Sequence, residues 1–148
     1  MVKDSLVTKT QAQALRELGF KEPVSGYMWR ENDLSNGFSA DGKRYFSYPD
    51  NSNRIRTCLS IPTTDEVIDW LRRKYNIVIY NKVEPFVDPI DDTHKTILFK
   101  YGVKRCDINH LGWNGRIDLG TTRLAKNVYS LKREAIGIAL KYIKSQKK

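Results

Sequence analysis

Residues 62–80, PTTDEVIDWLRRKYNIVIY, decide the fold because they specify a capped helix and a β-strand in immediate succession. Thr63 and Glu66 have the spacing of a capping box, and acidic residues in the first turn with basic residues in the last complement the helix dipole. Apolar residues recur at helical spacing for about three turns, until Asn76 ends the helix. The β-branched run at 77–80 then predicts a buried or paired strand.

Two further strands and a closing helix are predicted on the C-terminal side of this stretch. The strands cover residues 96–101 and 116–119, and the turn dipeptide Asn114-Gly115 precedes the second. Apolar residues recur at helical spacing over residues 130–145, opposite a line of basic residues. The apolar face of this helix is expected to consist of Leu131, Ala135, Ile138, Ala139 and Tyr142, with Ile136, Leu140 and Ile143 at its edges.

A first helix and one or two hairpins are predicted on the N-terminal side. Thr8 and Gln11 have capping-box spacing at the start of a helix over residues 9–18, and Gly19 ends it. Aromatic-rich runs follow, and they are separated by Asn-Gly and Asp-Gly dipeptides of the kind that join hairpin strands. The polar, turn-forming run at 49–57 is expected to be a flexible loop.

These elements predict an α+β protein with a small antiparallel sheet and about three helices, in the rough order α-β-β-α-β-β-β-α. A length of 148 residues suits one compact domain, and a hydrophobic content of 40% is enough to form a core. We therefore expect a single α+β domain over residues 1–148, ending in a frayed basic tail at 145–148.

The sequence contains no segment typical of a membrane protein. No stretch approaches the roughly 18 uninterrupted apolar residues that a membrane span needs. The first residues, MVKDS, lack the apolar run of a signal peptide. Cys58 and Cys106 are too few for a disulfide framework, and we expect both to stay reduced. A cytoplasmic location and no membrane partner are therefore expected.

The net charge of +9 comes almost wholly from the last third of the chain. Residues 1–100 hold 15 Lys and Arg against 14 Asp and Glu, whereas residues 101–148 hold 11 against 3. Such a field attracts polyanions in a salt-dependent way, which makes nucleic-acid (RNA or DNA) binding one hypothesis for the function. The basic residues expected to take part are Arg116, Arg123, Lys132, Arg133 and Lys141.

Aromatic residues provide a second set of candidate binding residues. Tyr27, Tyr45 and Trp113 are expected at an exposed docking or stacking surface, because interface centres and nucleic-acid platforms favour aromatic side chains. Trp29 and Trp70 are expected to pack in the core instead, as most large aromatics of a small domain do.

One acidic cluster deserves comparison with known metal sites. Asp88, Asp91, Asp92 and His94 lie within seven residues of one another. Their spacing matches neither a calcium-binding EF-hand loop nor a zinc pattern. The cluster is therefore interpreted as a solvated acidic turn.

The cysteines and histidines offer one other constellation. Cys106 and His110 have the spacing of half a zinc site, and only the distant Cys58 and His94 could complete it. A Cys nucleophile and a His base can be drawn from the same residues, but nothing places them together. Residues 112–115 lack the Lys-Ser/Thr of a phosphate-binding loop and are interpreted as a hairpin turn. We therefore predict no enzyme activity, no metal and no cofactor.

A set of short motifs resembles small uncharacterised proteins encoded by bacteriophages and related mobile elements. The resemblance covers roughly residues 58–80 and 129–143. It implies a small accessory protein that acts inside a bacterial host and has no assigned activity. The motifs are Ser60-Ile61-Pro62-Thr63, Trp70-Leu71-Arg72, Asn76-Ile77-Val78-Ile79, Glu134-Ala135 and Ala139-Leu140.

The element order over residues 63–146 is similar to that of the double-stranded RNA-binding domain. The closing helix also resembles the final helix of that family, and the resemblance implies that Lys132 and Arg133 lie on phosphates across a groove. The loop between the first two strands departs from the family, because it carries three aspartates where the family has a groove-reading Gly-Pro-x-His. The matching positions of the closing helix are Ser130, Lys132, Arg133, Glu134, Ala135 and Ala139.

Two functions therefore remain, and the preferred one is a non-enzymatic accessory protein that binds a host or phage protein. The alternative is a nucleic-acid binding module. We prefer the protein partner because basic residues on a terminal helix and its tail are ordinarily solvated. A continuous basic stripe on one face would favour phosphate contacts, whereas dispersed charge around an exposed apolar patch would favour a protein. The oligomeric state is left open.

Overall fold

The computed structural model describes most of the chain, with gaps. Its backbone is described for residues 5–24, 27–32, 37–38, 43–44, 53, 58–87, 95–109 and 112–147. Side chains are described for residues 5–24, 53, 59–82, 98–106 and 116–147. The chain divides into two compact units, Met1–Val67 and Ile68–Lys148, each of which is considered by itself. This division does not test the prediction of a single domain, which stays a prediction.

The first unit opens with helix α1, Lys9–Glu17, which begins and ends as its sequence predicts. Thr8 Oγ1 accepts a hydrogen bond from the Gln11 amide at 3.1 Å, and Gln11 Oε1 accepts one from the Thr8 amide at 3.2 Å. This reciprocal capping box satisfies two amides that the helix leaves without partners. Gly19 ends the helix with a φ of 81°, a left-handed conformation that favours glycine.

Four short strands follow in the described part of this unit. They are β1 (Tyr27–Asn32), β2 (Gly37–Phe38), β3 (Lys43–Arg44) and β4 (Cys58–Ser60). Strand β1 is central, because it pairs antiparallel with each of the other three. The antiparallel pairing of β1 with β2 is the hairpin arrangement that the turn dipeptides predict.

Asn53 anchors the polar segment that the sequence predicts to be a flexible loop. Its amide nitrogen donates to the carbonyl of Phe20 at 3.1 Å, and its Oδ1 accepts from the amide of Ser60 at 2.9 Å. One side chain therefore joins the end of α1 to strand β4. The rest of the predicted loop, 49–57, lies outside the described residues.

Helix α2, Thr64–Tyr75, is capped as predicted. The Glu66 amide donates to Thr63 Oγ1 at 3.2 Å, and Glu66 Oε1 accepts from the Thr63 amide at 3.3 Å. Asn76 ends the helix with a φ of 56°, which lets the chain turn directly into the next strand.

The second unit is built on a three-stranded antiparallel sheet in the order β5-β6-β7. Its strands are β5 (Ile77–Val87), β6 (Lys95–Asn109) and β7 (Gly112–Thr121). All three are longer than the apolar runs that predict them. The turn predicted at Asn114-Gly115, and with it the hairpin turn over residues 112–115, is wrong, because these residues lie inside β7. Strand β7 begins at Gly112, which pairs with Asn109 of β6, and not at residue 116 as predicted.

Helix α3, Val128–Gln146, packs on all three strands of this sheet. Asn127 caps it, with its Oδ1 accepting from the Ser130 amide at 3.1 Å. The buried face is rotated from the predicted one, because Ile136, Leu140 and Ile143 are buried whereas Ile138 and Tyr142 are only half-buried. The tail predicted at 145–148 is helical through Gln146.

The predicted α+β class is confirmed. The described residues form three helices, and the second unit holds a three-stranded antiparallel sheet. From α2 onwards the element order is α-β-β-β-α, as expected, whereas the described residues between α1 and α2 form four short strands. Among the helices of the described ranges, none combines the length and apolar character needed to cross a bilayer.

Two buried threonines allow a matched test of hydrogen bonding in the interior. Thr64 is fully buried, and its hydroxyl has no hydrogen-bond partner. The buried hydroxyl of Thr122 accepts from the Tyr101 amide at 2.9 Å and donates to the Arg123 carbonyl at 3.1 Å. An unpaired buried polar group is costly, whereas a paired one contributes to stability.

We expect Thr64→Val to raise the free energy of unfolding by about 1 kcal/mol, because it removes an unpaired hydroxyl without changing the side-chain shape. Thr122→Val should lower the free energy of unfolding by about 1–3 kcal/mol, because it leaves the Tyr101 amide unpaired. Urea denaturation of the two variants and the wild type measures both changes in the free energy of unfolding. Equal destabilisation by the two substitutions would contradict the assignment of Thr64 as unpaired.

Candidate nucleic-acid interface

The sheet of the second unit has two faces, and α3 covers one of them. Arg105 Nη1 donates to the Tyr142 hydroxyl of α3 at 2.9 Å, so Arg105 points towards the helix. Val103 and Tyr101, two and four residues earlier on β6, are buried. Because side chains alternate along a strand, the residues between these positions point to the opposite face.

We call this opposite surface the outer sheet face. Cross-strand pairing places Tyr80 opposite Gly102 and Lys82 opposite Lys100. Lys104 lies between Val78 of β5 and Asp118 of β7. The outer sheet face is defined by Val78, Tyr80, Lys82, Lys100, Gly102, Lys104, Arg116 and Asp118.

Tyr80 lies over Gly102 on this face. A Cβ atom at position 102 would come 2.8 Å from Cε1 of the tyrosine ring and closer still to Cζ, which is nearer than real atoms approach. Gly102 does not have a positive φ, so its backbone conformation could be adopted by other residues. Glycine is required because it leaves room for the ring.

Lysines surround this tyrosine. The Nζ atoms of Lys104 and Lys82 lie 4.7 and 5.3 Å from the ring centroid, within the range of a cation–π interaction. Lys100 lies directly across the sheet from Lys82. All three lysines and the tyrosine are half-buried, so they keep contact with solvent. The register therefore places three positive charges on the same sheet face as one aromatic ring, two of them near the ring.

Sequence reasoning did not single out these four residues as a site. Their signal is an alternation of basic and aromatic residues in two segments, Tyr80-Asn-Lys82 and Lys100-Tyr-Gly-Val-Lys104. It becomes a cluster only when the pairing of β5 with β6 is known, and the sequence does not fix that pairing.

The five predicted basic residues do not form one continuous stripe. Arg116 is exposed on the outer sheet face, opposite Cys106. Lys141 is exposed on α3, which lies on the other side of the sheet. Charges on the two sides of a sheet cannot contact one strand of nucleic acid together.

The remaining predicted basic residues surround the start of α3. Arg123 Nε lies 3.2 Å from Glu134 Oε2, and its guanidinium also donates to Ser130 Oγ at 3.1 Å. Lys132 Nζ lies 5.8 Å from the ring centroid of Tyr129. Arg133 follows in the same turn and is half-buried. The charge of Arg123 is therefore partly neutralised within the protein.

The structure leaves the other predicted site residues largely untested. Tyr27 and Trp113 lie on β1 and β7, but their side chains are outside the described residues, and so is the whole of Tyr45. Cys106 is a buried free thiol. The described part of the chain contains no group of three residues able to hold a metal ion. The acidic cluster at 88–94, His110 and the side chain of Cys58 lie outside it.

A second basic feature is a groove of about 310 Å³ where the ends of α2 and α3 meet the sheet. Lys74, Arg105 and Lys147 contribute its positive charge. Both helices end there, at Tyr75 and Gln146, so these cations face the partial negative charge of the last carbonyls. Burial raises the pKa of the Tyr75 hydroxyl in this groove. Lys74 and Lys147 thus complement the two helix dipoles, whereas Arg105 donates to the Tyr142 hydroxyl.

No family model, curated protein or solved structure matches this chain. The resemblance to phage-encoded proteins and the similarity to the double-stranded RNA-binding domain therefore stay predictions. The function has to be argued from the outer sheet face and its chemistry.

The packing of Tyr80 on Gly102 can be tested by a double-mutant cycle. We expect Gly102→Ala to destabilise the protein by about 1–3 kcal/mol, because the added methyl group displaces the ring. In a Tyr80→Ala background the same substitution should be neutral or slightly stabilising, since alanine restricts the unfolded chain. Urea denaturation of the four proteins measures the coupling. Additive effects of the two substitutions would contradict the contact.

Proposed function

We propose that this protein binds nucleic acid through the outer sheet face. The observation that carries the proposal is the placement of Lys82, Lys100 and Lys104 on the same sheet face as Tyr80, with Lys82 and Lys104 near its ring. Lysines contact phosphates, aromatic rings contact bases, and sheet surfaces that bind nucleic acid combine both.

The arrangement of the lysines supports a polyanionic ligand. Lys82 and Lys100 are directly opposite each other, and like charges in that position destabilise a sheet. Lys104 adds a third positive charge two levels further along the strands, beyond Tyr80 and Gly102. A chain of phosphates would offset this repulsion and release condensed counterions on binding.

The geometry favours nucleic acid over the protein partner preferred from the sequence. The large apolar side chains that are exposed in the described part of the chain are Ile117, Leu124 and Tyr129. They belong to β7, to the connection after it and to α3. The outer sheet face gathers Lys82, Lys100 and Lys104 on two paired strands.

The cellular role that we propose rests on the sequence resemblance. It is a small non-enzymatic accessory protein, encoded by a phage or mobile element, that acts in the cytoplasm of a bacterial host. Nucleic-acid binding fits that role without requiring a catalytic residue, a metal or a cofactor. Binding to a host or phage protein stays a prediction.

The proposal is tested by fluorescence anisotropy with labelled RNA and DNA, single-stranded and duplex, over about 50–200 mM salt. The wild type should bind with an affinity that falls steeply with salt. Substituting Lys82, Lys100 and Lys104 together by Gln should reduce the slope of log affinity against log salt by about two to three units, because each lost phosphate contact removes nearly one.

A triple variant of α3 provides the matched control. Substituting Lys132, Arg133 and Lys141 by Gln removes the same net charge from the other side of the sheet, and the salt slope should stay close to that of the wild type. Thermal unfolding should show that both triple variants are folded at the temperature of the titrations. No binding by the wild type, or an equal loss in both variants, would refute the proposal.

A further inference from the structure

The outer sheet face presents an aromatic ring as well as positive charge. The Tyr80 ring is supported from below by Gly102, a position where any larger residue would push the ring away from the sheet. The ring is half-buried, with β6 beneath it and α3 on the other side of the sheet. The rest of the ring is within reach of the Lys82 and Lys104 ammonium groups, so a base could reach it as well.

The cations flank this ring along the strand direction. Lys104 is level with Val78, Gly102 is level with Tyr80, and Lys100 and Lys82 are level with each other. Successive levels on one face are about 7 Å apart, because each is two residues along a strand. A nucleic-acid strand running along β5 and β6 would therefore meet positive charge on both sides of a base that lies on Tyr80.

We infer that this face takes single-stranded nucleic acid and that Tyr80 stacks on one unpaired base, an inference that rests on the proposed function. A duplex keeps the faces of its bases stacked inside the helix, so it cannot offer one to a tyrosine ring on a sheet surface. An unpaired strand can, whether it is RNA or DNA.

The lysines that lie near the ring do not prevent stacking. A cation–π contact at an exposed site changes an equilibrium by about 2- to 5-fold, whereas base–aromatic stacking changes affinity by about 5- to 150-fold. A base would therefore displace the ammonium groups from the ring. The flexible stems of Lys82 and Lys104 then let both groups reach the flanking phosphates.

The wild type alone provides the first test. Anisotropy titrations at one salt concentration compare a single-stranded oligonucleotide, its duplex, and a single strand of abasic sites with the same number of phosphates. We expect the single strand to bind about 10-fold more tightly than the abasic strand or the duplex. Equal affinity for all three would overturn the stacking inference and leave the proposed function standing. Binding to none would refute the proposed function itself.

Two substitutions of Tyr80 provide the second test. Tyr80→Leu should lower affinity for the single strand about 10-fold, while affinity for the abasic strand and the salt slope stay unchanged. Tyr80→Phe keeps the π-face and should retain single-strand affinity within about twofold. A uniform loss of affinity for all three ligands in Tyr80→Leu, with a matching loss in Tyr80→Phe, would mean that the ring only supports the sheet, and would overturn the inference.

Discussion

The second unit depends on the register of one antiparallel pair, β5 with β6. This pair runs without interruption from Ile77 opposite Arg105 to Val87 opposite Lys95. Because side chains alternate between faces, a shift of one residue would bury lysines beneath α3 and expose Val103. The buried core and the basic outer sheet face are therefore consequences of the same pairing. Neither can be changed independently of the other.

Helix α3 fixes which face becomes the core. Its N-cap sets where it begins, and its small and branched residues let it lie close to the sheet. Gly120 of β7 has a φ of 147°, and a Cβ there would come 3.3 Å from Cγ2 of Ile138. The hydrogen bond between Arg105 and Tyr142 aligns the other end of the helix with β6. Because α3 covers one face of the sheet, Tyr80 and the three lysines lie on the opposite face.

Local chemistry allowed the helices to be predicted, whereas the strands required long-range information. The Thr8 and Thr63 caps and the left-handed Gly19 and Asn76 depend only on neighbouring residues, and the structure confirms all four. The Asn114-Gly115 dipeptide is an equally strong local signal, but pairing with β6 overrides it, with a bulge between Cys106 and Ile108. The Tyr80 cluster has only an alternation of basic and aromatic residues as its local signal, and that signal does not show that the two strands pair.

Basic residues are distributed differently on the surface of the fold and along the sequence. Counting along the chain places the excess in the last third, yet Lys82 and Lys100 belong to the first hundred residues, where the two signs are nearly balanced. In the last third, Arg123 is paired with Glu134. A polyanion responds to the spacing of cations on a surface, because counterions accumulate where charges are close together. In this fold, strand register determines where that spacing occurs.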